Sequence, residues 1–233
     1  MRILSIDYDY FQTAGAETFK ECYPDGIDRN TEESKKVWAD ILSDKKNQKR
    51  ISNVRLNRSE MNCAEKIILS QRRDIPVMAV CSHKDMYDFA HRLAKPSESL
   101  EVVNVDMHHD MFNDNPQVDC GNWVSSLMNE YEHFKFRWVA NPTGLDVYGF
   151  EDGETRNLIS TSLESLIGEQ FDALFLCRSD NWVAPHLDYG FQRLLDTCQT
   201  HFHFVKTQDC ILYSRILFID SEREERQDEE YLK

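Results

Sequence analysis

No stretch of this 233-residue chain approaches the roughly 18 consecutive apolar residues that a membrane-spanning helix requires, so no membrane partner is expected. Glycine (eight) and proline (six) are scarce, and there is neither a low-complexity linker nor an internal repeat, which leaves one domain with a sizeable core as the simplest organisation. The seven cysteines are odd in number and never spaced C-x-x-C, which argues against a disulfide framework and a cysteine zinc site and predicts buried, reduced thiols. Basic residues are in deficit, 27 against 41 acidic for a formal charge of −14, which excludes nucleic acid as the main partner. That balance suits a cationic peptide and equally suits plain solubility. The N-terminus opens on a strand rather than a charged and then apolar signal segment, so a cytoplasmic location is expected.

Three apolar runs end in residues that bind metals. Leu100 to Val105 reads as a buried strand and runs into Asp106-Met107-His108-His109-Asp110. Side chains two apart share a face of extended chain, so Asp106, His108 and Asp110 point one way and His109 the other. Ile3-Leu4-Ser5-Ile6 runs likewise into Asp7-Tyr8-Asp9, and Val77 to Cys81 runs into Ser82-His83. In open α/β sheets the carboxyl ends of parallel strands line the ligand crevice, where these groups can meet. Six ligands with four carboxylates exceed the needs of one Zn²⁺ and suit a pair of divalent ions, with the oxygen excess favouring Mn²⁺.

The three motifs resemble the binuclear manganese site of the arginase and agmatinase (ureohydrolase) superfamily, whose elements are Gly-Gly-Asp-His, Asp-Ala-His-x-Asp and Ser-x-Asp-x-Asp. Here they read Cys81-Ser82-His83, Asp106-Met107-His108-His109-Asp110 and Ser5-Ile6-Asp7-Tyr8-Asp9, with 23 residues from His83 to Asp106 as in a strand-helix-strand unit. Two departures stand out: the Ser-x-Asp-x-Asp element opens the chain instead of coming last, and Cys81 and Ser82 replace the two glycines. Together with Gly121-Asn122-Trp123 and Leu176-Cys177-Arg178-Ser179-Asp180-Asn181-Trp182, the opening is more similar to the peptide arginases, which convert arginine side chains of ribosomally made precursor peptides to ornithine. The resemblance implies a three-layer arginase-like α/β fold with a mostly parallel sheet flanked by helices on both faces, two Mn²⁺ ions, and an arginine-containing precursor peptide as partner. One ion would take His83, Asp106, Asp110 and Asp7, and the other His108, Asp106, Asp7 and Asp9. Asp110 and His108 would act in catalysis with Asp180, which would also hold the substrate guanidinium. Asn122, Trp182 and His186 would complete the substrate site, with His186 as a candidate proton donor. A homo-oligomer is compatible with this reading.

Other classes compete. A haloacid-dehalogenase-type phosphatase could use Asp7 and Asp9, but it calls for Thr or Val at position 11, where Phe11 stands, and leaves residues 106 to 110 unexplained. A ureohydrolase or amidohydrolase such as a deacetylase, acting on a small molecule, is a nearer rival. A non-catalytic peptide-binding protein that keeps metal for stability is a third.

The periodicity predicts strands at 2 to 7, 76 to 81, 100 to 106, 135 to 140 and 172 to 177. Helices are predicted within 31 to 47 and 57 to 73, and at 84 to 95, 121 to 132, 155 to 168 and 187 to 199. The runs His201 to Val205 and Cys210 to Ile219 suggest an antiparallel hairpin at the sheet edge. Asp25-Gly26 and Asn141-Pro142 mark turns. Segment 20 to 57 reads as a helical insertion able to cover a site or grip a peptide. The domain is expected to span 1 to 220, with 221 to 233 as an acidic tail of six acidic and three basic residues.

Overall fold

In a computed structural model that describes residues 1 to 112, 116 to 148 and 158 to 208, strands and helices alternate along the chain. Strand β1 (Arg2–Asp7) is followed by a 3₁₀ turn, Tyr8–Phe11, and by β2 (Gln12–Thr13). Helices α1 (Ala16–Cys22), α2 (Thr31–Ser43) and α3 (Lys45–Ile51) form the helical insertion, and β3 (Arg55–Leu56) closes it by pairing antiparallel with β2. Then come α4 (Arg58–Ser70), β4 (Val77–Val80), α5 (Asp85–Leu93), β5 (Ser99–Asp106), α6 (Trp123–Glu130), β6 (His133–Ala140), α7 (Pro142–Tyr148) and β7 (Leu158–Ser160). Strand β8 (Ala173–Cys177), α8 (Asp188–His201) and β9 (Val205–Thr207) complete the described chain.

Seven strands form one sheet in the order β7-β6-β5-β1-β8-β4-β9, and every pairing is parallel. Parallel neighbours need crossovers, and the helices that supply them cover both faces, which explains why the inner strands are apolar runs. Alternation along β1 sends Leu4 and Ile6 to the α4 and α8 side with Ala64, Ile68, Phe191 and Leu194, and Ile3 to the α5 and α6 side with Phe89, Trp123 and Leu127. The fold is thus a three-layer α/β arrangement. The opening strand lies in mid-sheet, between β5 and β8, so its early place in the chain costs it nothing in access to the other motif-bearing strands.

Register sets the site. Ile6 pairs with Val105 and Asp7 with Cys177, which in turn pairs with Val80. Asp7 and Asp106 therefore leave the sheet at one level, and Ser82-His83 follows just beyond β4.

One expectation is corrected. Within 155 to 168 the structure has β7 and a 3₁₀ turn, Leu163–Leu166, in place of a helix, residues 155 to 157 lying outside the described set. The hydroxyls explain it: Ser160 Oγ accepts from Ser162 N at 2.9 Å, and Ser162 caps Glu164 N, so local side-chain bonds displace the helical ladder. Of the expected edge hairpin only the first run is described: α8 runs to His201, and β9 then pairs parallel with β4, Val77 opposite Val205. Cys210 to Ile219 and the 221 to 233 tail lie outside the described residues. Helix α7 is an unpredicted element. Asn141, expected only as a turn residue, anchors its start by accepting from Thr143 N and Gly144 N while donating to the Tyr10 and Gln12 carbonyls at 2.6 and 2.9 Å. Gly144 is required there, because a Cβ would meet the Met107 carbonyl oxygen at 2.5 Å.

Candidate metal centre

The three strand ends bring Asp7, Asp9, His83, Asp106, His108 and Asp110 together beneath one cavity, as the motifs predict. His83 Nδ1 lies 3.0 Å from an oxygen of each of Asp7, Asp106 and Asp110. His108 Nδ1 lies 3.1 Å from Asp9 Oδ2 and 3.7 Å from Asp106 Oδ1. Two triads result, Asp7-His83-Asp106 and Asp9-Asp106-His108, each with its ligand atoms within 4.8 Å of one another, and Asp106 belongs to both.

Polar residues in otherwise apolar strands hold this set in place. Ser5, two residues before Asp7 and on the same face, places its hydroxyl 2.7 Å from His83 Nε2 and leaves Nδ1 toward the carboxylates. Asn104 stands in the same relation to Asp106 and donates to Oδ2 at 3.0 Å, while the His108 amide donates to Oδ1 at 2.8 Å. Trp123 Nε1 donates to Asp110 Oδ2 at 2.6 Å, and Asp110 turns its carboxylate inward from a left-handed backbone (φ 53°). Such partners fix ligand orientation in metal sites. Ser5, Asn104 and Trp123 were not expected as site residues; for Ser5 and Asn104 the readable signal was a lone polar side chain at i−2 in a buried strand.

The electrostatics call for a cation. Burial, and then the charge of Asp106, pushes Asp110 up to about 7 and raises Asp7. Burial, and then Asp7, raises Asp9 strongly. Burial opposes charge on His83, yet Asp106, Asp110 and Asp7 together hold it well above the ordinary imidazole range. Burial opposes charge on Asp106 too, but His108 and His83 hold it far below the carboxylate range. Four carboxylates this close cannot all stay ionised without positive charge among them. Asp9 Oδ2 and His83 Nδ1, both buried, have ion-pair contacts but no directed hydrogen bond. Buried polar atoms are seldom left so, and a nitrogen set at one distance from three carboxylate oxygens points to a shared ligand position. The donor set of imidazoles and carboxylates fits Mn²⁺ or a similar divalent ion.

Above the centre is a cavity of about 590 Å³ lined by Asp7, His83, His108 and Asp110, by Gly26 to Asp28 of the insertion, by 117 to 121, and by Lys84, Phe112 and Trp182. Trp182 walls it, its ring 4.9 Å from that of His108. The other residues expected around the substrate are placed elsewhere. Asp180 is engaged by Arg178 in a buried bidentate pair (Nε to Oδ1 2.6 Å, Nη2 to Oδ2 3.0 Å) and does not line the cavity. Its guanidinium partner in this structure is the chain's own Arg178. His186 donates from Nε2 to the Val54 carbonyl at 3.2 Å, burial lowers its pKa to about 4, and it does not line the cavity. Asn122 shapes the 117 to 121 wall by donating to Gln117 O at 2.8 Å and accepting from Asp119 N at 2.8 Å, without lining the cavity itself. His109 turns away from the ligands, accepting from Met111 N and packing on Phe112 and Trp138. Asp28, which the sequence did not single out, does line the cavity.

No model of a protein family, no curated protein and no solved structure matches this chain.

Proposed function

We propose that this protein is a peptide arginase, a binuclear manganese hydrolase that converts arginine side chains of a ribosomally made peptide to ornithine and urea. The observation that carries the reading is the pair of buried Asp/His triads sharing Asp106 on the floor of an acid-lined cavity. Asp7, Asp106, Asp110 and His83 would hold one ion, and Asp106, Asp9, Asp7 and His108 the other. When bound, such ions supply Lewis acidity that makes water a nucleophile at neutral pH. The chain's own residues supply the rest. Asp110 borders both ligands and cavity, so its carboxylate is the group placed to take a proton from the attacking water. Trp182 and Phe112 flank the space for an aliphatic stem and exclude water beside it. Six described cysteines are free, which suits a reducing cytoplasm.

The test is mass spectrometry of an arginine-containing precursor peptide, with free arginine alongside, after incubation with Mn²⁺-loaded protein, and urea measured in the same samples. Loss of the carbodiimide mass from the peptide with equimolar urea is the expected result. Urea from free arginine alone would make the protein a metabolic ureohydrolase. Urea from neither would turn the reading to amide hydrolysis or to metal-stabilised binding.

A further inference from the structure

We infer that Asp28 is the specificity-determining residue of this cavity, receiving the cationic guanidinium of the substrate side chain and selecting it over a neutral isostere; this rests on the ureohydrolase reading of the site. Asp28 comes from the connection between α1 and α2, a segment tied down on several sides. The Asn181 amide donates to the Ile27 carbonyl, and Asn181 is itself held by Ser34 Oγ at 2.6 Å. The Ser82 hydroxyl, on the residue before His83, lies 2.9 and 3.0 Å from the two Asp28 oxygens. That contact sets the carboxylate beside the ligand cluster. A hydroxyl donates one hydrogen and an ionised carboxylate offers about four acceptor positions, so most of its capacity remains for a ligand.

The charge balance explains why this residue decides the sign of what binds. Two divalent ions are balanced by the four clustered aspartates, which leaves Asp28 and Asp119 against Lys84 among the other charged groups lining the cavity. Lys84 Nζ is 3.5 Å from Asp28 Oδ2 and half exposed, so it can swing into solvent when a better cation arrives. A planar guanidinium is such a cation, because it meets a carboxylate with two parallel donors where an ammonium meets it with one. A second observation marks the cavity as a ligand site rather than a solvated acidic patch: His83 lines it at 2% exposure, with Nδ1 set 3.0 Å from three carboxylate oxygens and no directed hydrogen bond to any of them. The rim carries Ile27 and Phe112, 58% and 39% exposed, apolar surface suited to the stem below a guanidinium.

The experiment measures binding of a short arginine peptide, and of the same peptide with citrulline in place of arginine, to the full-length Mn²⁺-loaded protein by calorimetry, with metal content checked in each sample. The wild-type protein should favour arginine by about tenfold or more, the scale set by a desolvated charge pair. Asp28→Asn should erase that preference with metal content unchanged, and Asp28→Glu, which keeps the charge, should keep most of it. Equal affinities in the wild-type protein, or a wild-type preference surviving in Asp28→Asn, would overturn the inference. An Asp28-dependent preference without urea release would uphold it while removing the hydrolytic reading.

Discussion

Asp106→Asn is expected to cost the protein its metal occupancy and with it nearly all urea release, while the fold persists. Asp106 is the residue common to both triads, so its loss would weaken both candidate positions together, whereas His83 or Asp9 belongs to one. Removing a partner that merely orients a ligand costs about 10 to 100-fold in metal affinity, so removing a shared ligand should exceed about 100-fold. Asparagine has nearly the same shape, which keeps the cavity closed, but its amide nitrogen must face one of two donors, Asn104 Nδ2 or the His108 amide. One unmet hydrogen bond costs about 1 to 3 kcal/mol, within the reserve of a domain of this size. Metal analysis by mass spectrometry with circular dichroism on the same sample checks both halves. Full occupancy in Asp106→Asn would remove this residue from the centre.

The second large effect is a metal stabilisation that grows with pH. In the metal-free protein Asp110 titrates at about 7, raised by burial and by Asp106, so between the ordinary aspartate pKa of about 3.9 and neutrality the folded state binds a proton that the unfolded chain has lost. His83, raised above its ordinary value by Asp106, Asp110 and Asp7 in spite of burial, does the same at higher pH. Where the folded state holds more protons, stability falls as pH rises, so these groups destabilise the metal-free fold progressively from about pH 4 upward. Asp106 has the opposite sign, since its depressed pKa contributes stability that is lost only as pH falls below the ordinary carboxylate range. Divalent ions bound at the proposed centre would displace the protons and reverse the trend. At about a thousand times the dissociation constant an ion adds about 4 kcal/mol, or roughly 8 to 16 °C in melting temperature for a chain of this length. Thermal melts at about pH 5.5 and about pH 7.5, with chelator or with Mn²⁺, should show the gap widening with pH. A chelated protein that gains stability over that range would contradict the electrostatic picture of the centre.

Most of the sheet was legible because its strands are buried on both faces and carry near-continuous apolar runs, and the clustering of the six Asp and His residues was legible because they stand at the ends of such runs. The 155 to 168 region was not, since Leu158-Ile159 is too short an apolar run to distinguish strand from helix by period. Asp180 shows a different limit. Arg178 two residues earlier was visible, yet the resemblance directed Asp180 to a substrate guanidinium, while the left-handed Ser179 (φ 60°) lies between Asp180 and the chain's own guanidinium that pairs with it. His186 and Asp28 depend on contacts far apart in the chain, with Val54 and Ser82, which no local pattern encodes.

The most direct test of the central claim is electron paramagnetic resonance of the Mn²⁺-reconstituted protein together with its metal content. Two ions per chain with an exchange-coupled spectrum is the predicted result, because ions that share the Asp106 carboxylate sit close enough to couple. One ion per chain, or two with uncoupled signals, would contradict a binuclear centre.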